Sequence, residues 1–289
     1  MVEARPNVHR RRFGSVMRSL RRGAGLSMEE AAERLGLSGK PALSKIENGK
    51  QRVSGLGLTA FFGVYGVESE ETRTKVKAMA ALAASGKRTN LLDQYQEAVQ
   101  TDGFADYLHL EGLAIRSDAF LQVIPGLLQT EAYATSIVER SQVWSSKHEV
   151  ARFVELRLAR QAALSREAPL DLRCVLDEAA LHRVVGGPEV MKQQLERLLT
   201  VTETHSNVVI QVLPARVGAH AGIDGPFQLL EFEVGPPIVV IETKTTSVYF
   251  EEDGDVGRYR SALDSLRTQA LDAQASRRYI RELTKDCYT

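Results

Sequence analysis

The stretch Leu26-Ser-Met-Glu-Glu-Ala-Ala-Glu-Arg-Leu-Gly-Leu-Ser-Gly-Lys-Pro-Ala-Leu-Ser-Lys-Ile-Glu-Asn-Gly49 reads as two short helices joined by a tight turn. Ser27, with Glu30 three residues later, is a capping box: the hydroxyl accepts the Glu30 N–H while the Glu30 carboxylate reaches back to the Ser27 N–H. A helix is therefore expected from about Ser27, with Ala31, Ala32 and Leu35 facing inward and Gly36 supplying the positive-φ turn. The second helix carries Pro41 near its start, where the missing N–H is not needed. It turns Ala42, Leu43 and Ile46 inward and ends at Gly49. Lys40, Ser44, Lys45 and Asn48 are left facing outward. Lysine can meet guanine O6/N7 or phosphates, and serine and asparagine can donate and accept at base edges. The pattern predicts a DNA-reading helix-turn-helix; the plainer reading of the same residues is a solvated amphipathic hairpin.

Charge supports the first reading. The 289-residue chain carries 37 basic and 37 acidic residues, but the balance is uneven along it. Residues 1–60 hold 12 Lys/Arg against 5 Asp/Glu, a surplus of seven positive charges, and the remainder holds 25 against 32, a deficit of seven. A basic N-terminal module on an acidic body is what phosphate binding through one end requires. Arg11, Arg18, Arg22, Lys50 and Arg52 are expected on phosphates and Lys40, Ser44 and Lys45 at base edges, with Ser27 and Asn48 completing the DNA-facing set.

Around the hairpin, residues 1–9 read as a flexible arm. Phe13, Val16, Met17 and Leu20 then give the i, i+3, i+4, i+7 stripe of a helix, with Arg18, Arg21 and Arg22 on its other faces. Leu58, Phe61, Phe62 and Tyr65 repeat the stripe after a possible cap at Ser54. A fifth helix opens at Ser69 with Val76, Met79, Ala80 and Ala83 along one side. These five helices predict an all-α domain over residues 1–85, and Ser85–Asn90 reads as a linker.

From residue 91 to 289 the pattern becomes α+β, a small sheet covered by helices. Leu91–Val99 and Tyr107–Ala114 look helical, and Phe120–Ile124 could be a strand. Helices are expected from Glu131 to about Val138, over Lys147–Leu164 and over Pro188–Thr204. Strands are expected at Leu172–Leu176, Val208–Leu213, Phe227–Phe232, Ile238–Ile241 and Ser247–Phe250, which are rich in β-branched or aromatic residues. Helices at about Val256–Leu271 and Ala273–Leu283 close the chain.

Leu26–Gly49 is similar to the XRE (lambda-repressor-like) helix-turn-helix, with Ser44-Lys45-Ile46-Glu47-Asn48-Gly49 standing at that family's Ser-Arg-Ile-Glu-x-Gly ending. Its Gly39-Lys40-Pro41 turn is about one residue longer than the usual pattern, and Met28 stands where many relatives carry glutamine. The rest of the chain resembles the domain of unknown function in WhiJ-like, antitoxin-like actinobacterial regulators. Val123–Tyr133, Val209–Pro214, Gly218–Gly222, Gly225–Phe227 and the closing Tyr249, Tyr259-Arg260 and Leu266 carry that likeness. The resemblance implies a transcriptional regulator whose C-terminal domain binds a small protein partner that modulates DNA binding. A homodimer on double-stranded DNA is expected.

The loop Gly218-Ala-His220-Ala-Gly222-Ile-Asp224-Gly225 is the least ordinary stretch outside the helical module. Its glycines permit a turn with accessible N–H groups that can bind an anion, a peptide or a small molecule. The plainer reading is a structured connection with His220 hydrogen-bonded to backbone. His109, His182, His205 and His220, with Glu111 and Cys174, form no pair at metal-ligand spacing, so no metal or cofactor is expected. No nucleophile elbow, phosphate loop or dinucleotide fingerprint is present, and no catalysis is expected; the rival is an enzyme with a DNA-binding appendage. Two cysteines cannot build a disulfide framework, and no apolar run approaches the roughly 18 residues of a membrane span, so a cytoplasmic protein is expected.

Overall fold

The computed structural model describes residues 8–85, 90–95, 98–99, 102–141, 143, 146–244 and 246–287. Two compact units emerge: one comprises residues 1–88 with Phe232–Pro236, the other residues 89–231 and 237–289. The linker expected at Ser85–Asn90 falls largely on residues outside those described.

The first unit is helical: α1 (Val8–Gly23), α2 (Met28–Arg34), α3 (Lys40–Glu47), α4 (Gly55–Val64) and α5 (Glu70–Ser85). The expected stripes meet in one core, where Phe13, Val16 and Met17 of α1 pack with Ala31, Ala32, Leu43, Ile46, Leu58, Phe61, Phe62, Tyr65, Val76 and Ala83. Met28, the departure from the family pattern, is half-buried against it. Two glycines set how closely the helices approach. A Cβ on Gly14 would lie 2.5 Å from the Glu47 carbonyl oxygen, and one on Gly49, at φ +70°, would lie 2.7 Å from the backbone of Arg10.

Two expectations about α1 are corrected. The arm does not extend to residue 9, because Val8 and His9 are helical and buried. Arg21, expected on an outer face of the helix away from the apolar stripe, is also buried. Its charge is satisfied within the protein, so it is a structural cation. Arg12, only 2% exposed, is held similarly. It donates to the carbonyls of Val234 (2.6 Å) and Pro236 and lies over the Phe232 ring, all in the short segment that belongs to this unit.

The second unit is α+β, as expected. Its elements are α6 (Asn90–Gln94), α7 (Asp102–Leu113), β1 (Ala114–Leu121), α8 (Glu131–Arg140), α9 (Lys147–Arg160), β2 (Asp171–Asp177), α10 (Ala179–His182), α11 (Pro188–Thr204), β3 (Val208–Leu213), β4 (Phe227–Phe232), β5 (Ile238–Glu242), β6 (Ser247–Phe250), α12 (Asp253–Gln269) and α13 (Ala273–Cys287). The strands form a six-stranded mixed sheet in the order β3-β2-β1-β4-β5-β6. β1, β2 and β3 run parallel, so helices must carry the chain back between them, whereas β4, β5 and β6 are antiparallel and joined by short turns. Val256, Leu263 and Leu266 of α12 pack against Phe120, Val175, Leu213, Phe227, Leu229 and Val239 from five strands.

The first strand is displaced from its expected place, Phe120–Ile124, to Ala114–Leu121. Its polar residues Arg116, Ser117 and Asp118 mask it. Asp118 is 2% exposed and is held by Arg116 (Nε to Oδ2, 2.9 Å) and by Arg267 of α12, so a polar sequence sits inside a buried strand. Leu91–Val99 yields only the short helix α6 among the described residues.

Candidate nucleic-acid interface

The capping box forms in both directions: Glu30 N–H donates to Ser27 Oγ at 3.2 Å, and Ser27 N–H donates to a Glu30 carboxylate oxygen at 2.9 Å. Ser27 is exposed, but its hydroxyl is engaged in starting α2. Gly36 turns the chain at φ +64° and Gly39 at φ +102°, after which Pro41 sits in the first turn of α3. These local choices fix α3 against α1 and α2 with Leu43, Ile46 and Glu47 buried.

The outer side of α3 carries the expected residues. Lys40 and Lys45 are exposed, and Lys40 Nζ lies 3.2 Å from Glu29 Oε1, a surface pair that ties the start of α3 to α2. Three candidates are drawn into one chain of hydrogen bonds. Arg18 Nη2 donates to Asn48 Oδ1 at 2.7 Å, and Asn48 Nδ2 donates to Ser44 Oγ at 3.1 Å. Both ends of the Asn48 amide are thus used to orient its neighbours, which lowers the entropy lost when such side chains meet a ligand. After Gly49 the chain folds back, with the N–H groups of Lys50 and Gln51 both donating to the Lys45 carbonyl at 2.8 and 3.1 Å. Lys50 and Arg52 are exposed on that loop, and Arg22 is exposed near the end of α1. Arg11 stands apart from them, since it is half-buried with Nε and Nη1 inaccessible.

Glu47 escaped the sequence reading. It is 3% exposed and receives Arg21 through two hydrogen bonds, Nε to Oε1 at 2.7 Å and Nη2 to Oε2 at 3.0 Å. The signal was available: Leu43, Ile46 and Glu47 stand at i, i+3 and i+4, the spacing of one buried face. The hydrogen bonds that Arg21 donates to Glu47 raise its pKa above the ordinary value despite burial.

In the second unit the Gly218–Gly225 loop is tightly folded. Gly222 N–H donates to His220 Nδ1 at 3.1 Å, Ile223 N–H to the His220 carbonyl, and Gly225 N–H to the Gly222 carbonyl. Three of the amides offered as an anion cradle, those of Gly222, Ile223 and Gly225, are therefore engaged inside the loop. His220 packs edge-on against Phe120, with ring centroids 5.4 Å apart, and a Cβ on Gly222 would strike the same ring. Asp224 and Gly225 border a broad cleft of about 680 Å³ that also includes Phe227, Phe250 and Tyr259. Among the described residues no group of three or more His, Cys, Asp and Glu is arranged to hold a metal ion. No helix among them is long and apolar enough to cross a membrane.

A paired helical reader with a basic outer face defines the N-terminal unit as a helix-turn-helix domain, and a helix-turn-helix family matches residues 12–74. The protein is a DNA-binding regulator. Residues 104–282 match the domain of unknown function DUF5753, and the chain belongs to that family. No curated protein and no solved structure matches the chain.

Proposed function

We propose that the protein is a sequence-specific transcriptional regulator that binds its operator as a homodimer, without catalysis, under the control of its C-terminal unit. The observation that carries the reading is the outer face of α3, where Lys45 is exposed beside the Arg18–Asn48–Ser44 chain and the Lys50–Arg52 loop folds back on the Lys45 carbonyl. Lys40, Ser44 and Lys45 are assigned to base edges and Arg22, Lys50 and Arg52 to phosphates. In a dimer the two reading helices would enter successive major grooves about 34–36 Å apart.

The likeness to antitoxin-like regulators supports control by a small protein partner bound to the second unit. The cleft beside Asp224 and Gly225 is where a peptide or metabolite would act if control came from a ligand instead. Copurification from the native host separates these: a stoichiometric small protein supports the first, a bound metabolite the second.

Titration of Lys45→Ala and Arg52→Ala against a genomic site at several salt concentrations tests the DNA assignment. Lys45→Ala should change sequence preference. Arg52→Ala should weaken all sequences and reduce the salt slope by about one. Unchanged binding in both variants would sink it.

A further inference from the structure

We propose that a second cavity of the C-terminal unit, between α7, α8, α9 and the β5–β6 turn, is a binding site for a small amphipathic carboxylate, held by Arg157. The inference is independent of the partner reading. The cavity measures about 210 Å³, far more than the ~10–15 Å³ that a single water needs. Phe104, Ile137 and Phe153 form apolar walls, and Arg157, Glu242 and Lys244 are its charged residues.

Arg157 is built into position. Its Nη1 donates to Gln129 Oε1 at 2.8 Å, and Gln129 is fixed by its own donation to the Ile124 carbonyl at 2.7 Å. The guanidinium lies 5.1 Å from the centroid of the Phe153 ring, and the stem passes over Gly126, where a Cβ would touch it at 3.5 Å. Its Nε is buried without a hydrogen-bond partner. Desolvation, with repulsion from Arg160, lowers its pKa to about 10.

The neighbouring Arg160 shows what a satisfied cation in this core looks like, since it donates to both carboxylate oxygens of Glu111 at 2.8 Å. Arg157 is half-buried and has no such direct ion pair among the described residues; Glu242 attracts it only from a distance, and a cation so incompletely compensated is costly. A ligand carboxylate would supply the counter-ion while its apolar body fills the aromatic walls. Arg157 and Lys244, offset by Glu242, leave a net charge of about +1 at the cavity, which suits a monoanion better than a phosphate. Glu242 is the acid that opposes this choice. It is exposed at the cavity, so solvent screens its repulsion of an anion, and desolvation raises its pKa.

Calorimetric titration of the full chain with octanoate, 1-octanol and octylamine is the test. Octanoate should bind about tenfold or more tightly than octanol, the gain expected of a charge-assisted hydrogen bond. Arg157→Gln should abolish that advantage, Arg157→Lys should keep part of it, and Glu242→Gln should tighten octanoate. Ile137→Trp, which fills the cavity without touching the charge, should remove binding of both octanoate and octanol, with circular dichroism reporting the fold of each variant. Octanoate no tighter than octanol, octylamine tighter than octanoate, undiminished octanoate binding to folded Arg157→Gln or to Ile137→Trp, or no octanoate binding at millimolar concentration overturns the proposal.

Discussion

Arg21 and Glu47 form a two-pronged ion pair inside the helical unit, 2.7 and 3.0 Å long, that fastens the last turn of α1 to the last residue of α3. Arg21 Nη1 also donates to the Leu26 carbonyl at 2.8 Å, so one guanidinium joins α1, the chain entering α2 and the end of α3. Removing the acid leaves the cation buried and unpaired. Glu47→Ala is expected to destabilise the unit by about 3–5 kcal/mol, and Glu47→Gln by less, because the amide still accepts a hydrogen bond. Urea unfolding of the three chains measures it; a cost for Glu47→Ala under about 1 kcal/mol, the range of a surface pair, would show that the bridge contributes little.

Gly14 offers a prediction of sign. Glycine to alanine within a helix ordinarily stabilises by roughly 0.5–1 kcal/mol. At Gly14 the new Cβ would lie 2.5 Å from the Glu47 carbonyl oxygen and 2.8 Å from that of Ile46, so α1 and α3 would have to part. A loss of about 1–3 kcal/mol is expected for Gly14→Ala. Gly23→Ala, at the exposed end of the same helix with nothing within 4 Å of a Cβ, is the control and should not be destabilising through packing. Equal melting temperatures for the two variants would contradict the close approach.

His9 predicts a pH dependence. Burial lowers its pKa below the ordinary histidine value of 6.5, so the unfolded chain takes up a proton near pH 6.5 that the folded unit resists. Stability is therefore full above pH 6.5, falls as pH drops from there towards the folded pKa, and levels off below it. His9→Gln, which does not titrate, should flatten that part of the profile when thermal unfolding is followed between pH 8 and pH 5. Identical slopes in the two proteins would remove His9 as the cause.

Cys174 lies on β2 with its side chain buried, and desolvation, with the nearby Asp118 charge, pushes its thiol up to about 12. In a Cys287→Ser background the remaining thiol should resist a disulfide reagent at pH 8 until the sheet is unfolded, because neither access nor thiolate is provided. Fast labelling of the native chain would show that β2 opens readily.

The helical unit was legible in the sequence because its determinants are local. Caps, glycine turns and stripes at i, i+3, i+4 act within a few residues, so Ser27, Glu30, Gly36 and Pro41 announce the paired helices before any long-range contact forms. The C-terminal strands made of continuous β-branched residues, such as Val208–Leu213, were equally plain. β1 was not, because Arg116 and Asp118 look like surface residues until Arg267, far along the chain, closes over Asp118. The candidate interface was read in part. The lysines of α3 and its loop stand exposed as their spacing implied, but Arg21 turned inward because a buried acid on another helix receives it.

By itself, then, the sequence determined where α2 and α3 begin and end, which side of α3 carries the basic residues, and that an α+β unit follows. These are properties of neighbouring residues and their periodicity. Tertiary structure alone decided which arginines are buried as structural cations, how closely Gly14 and Gly49 let α1 and α3 approach, and that Arg157 is held over a cavity with no direct ion pair among the described residues. Each depends on a partner distant in sequence, and the burial of a charge is settled only when the packed chain brings that partner within reach or fails to.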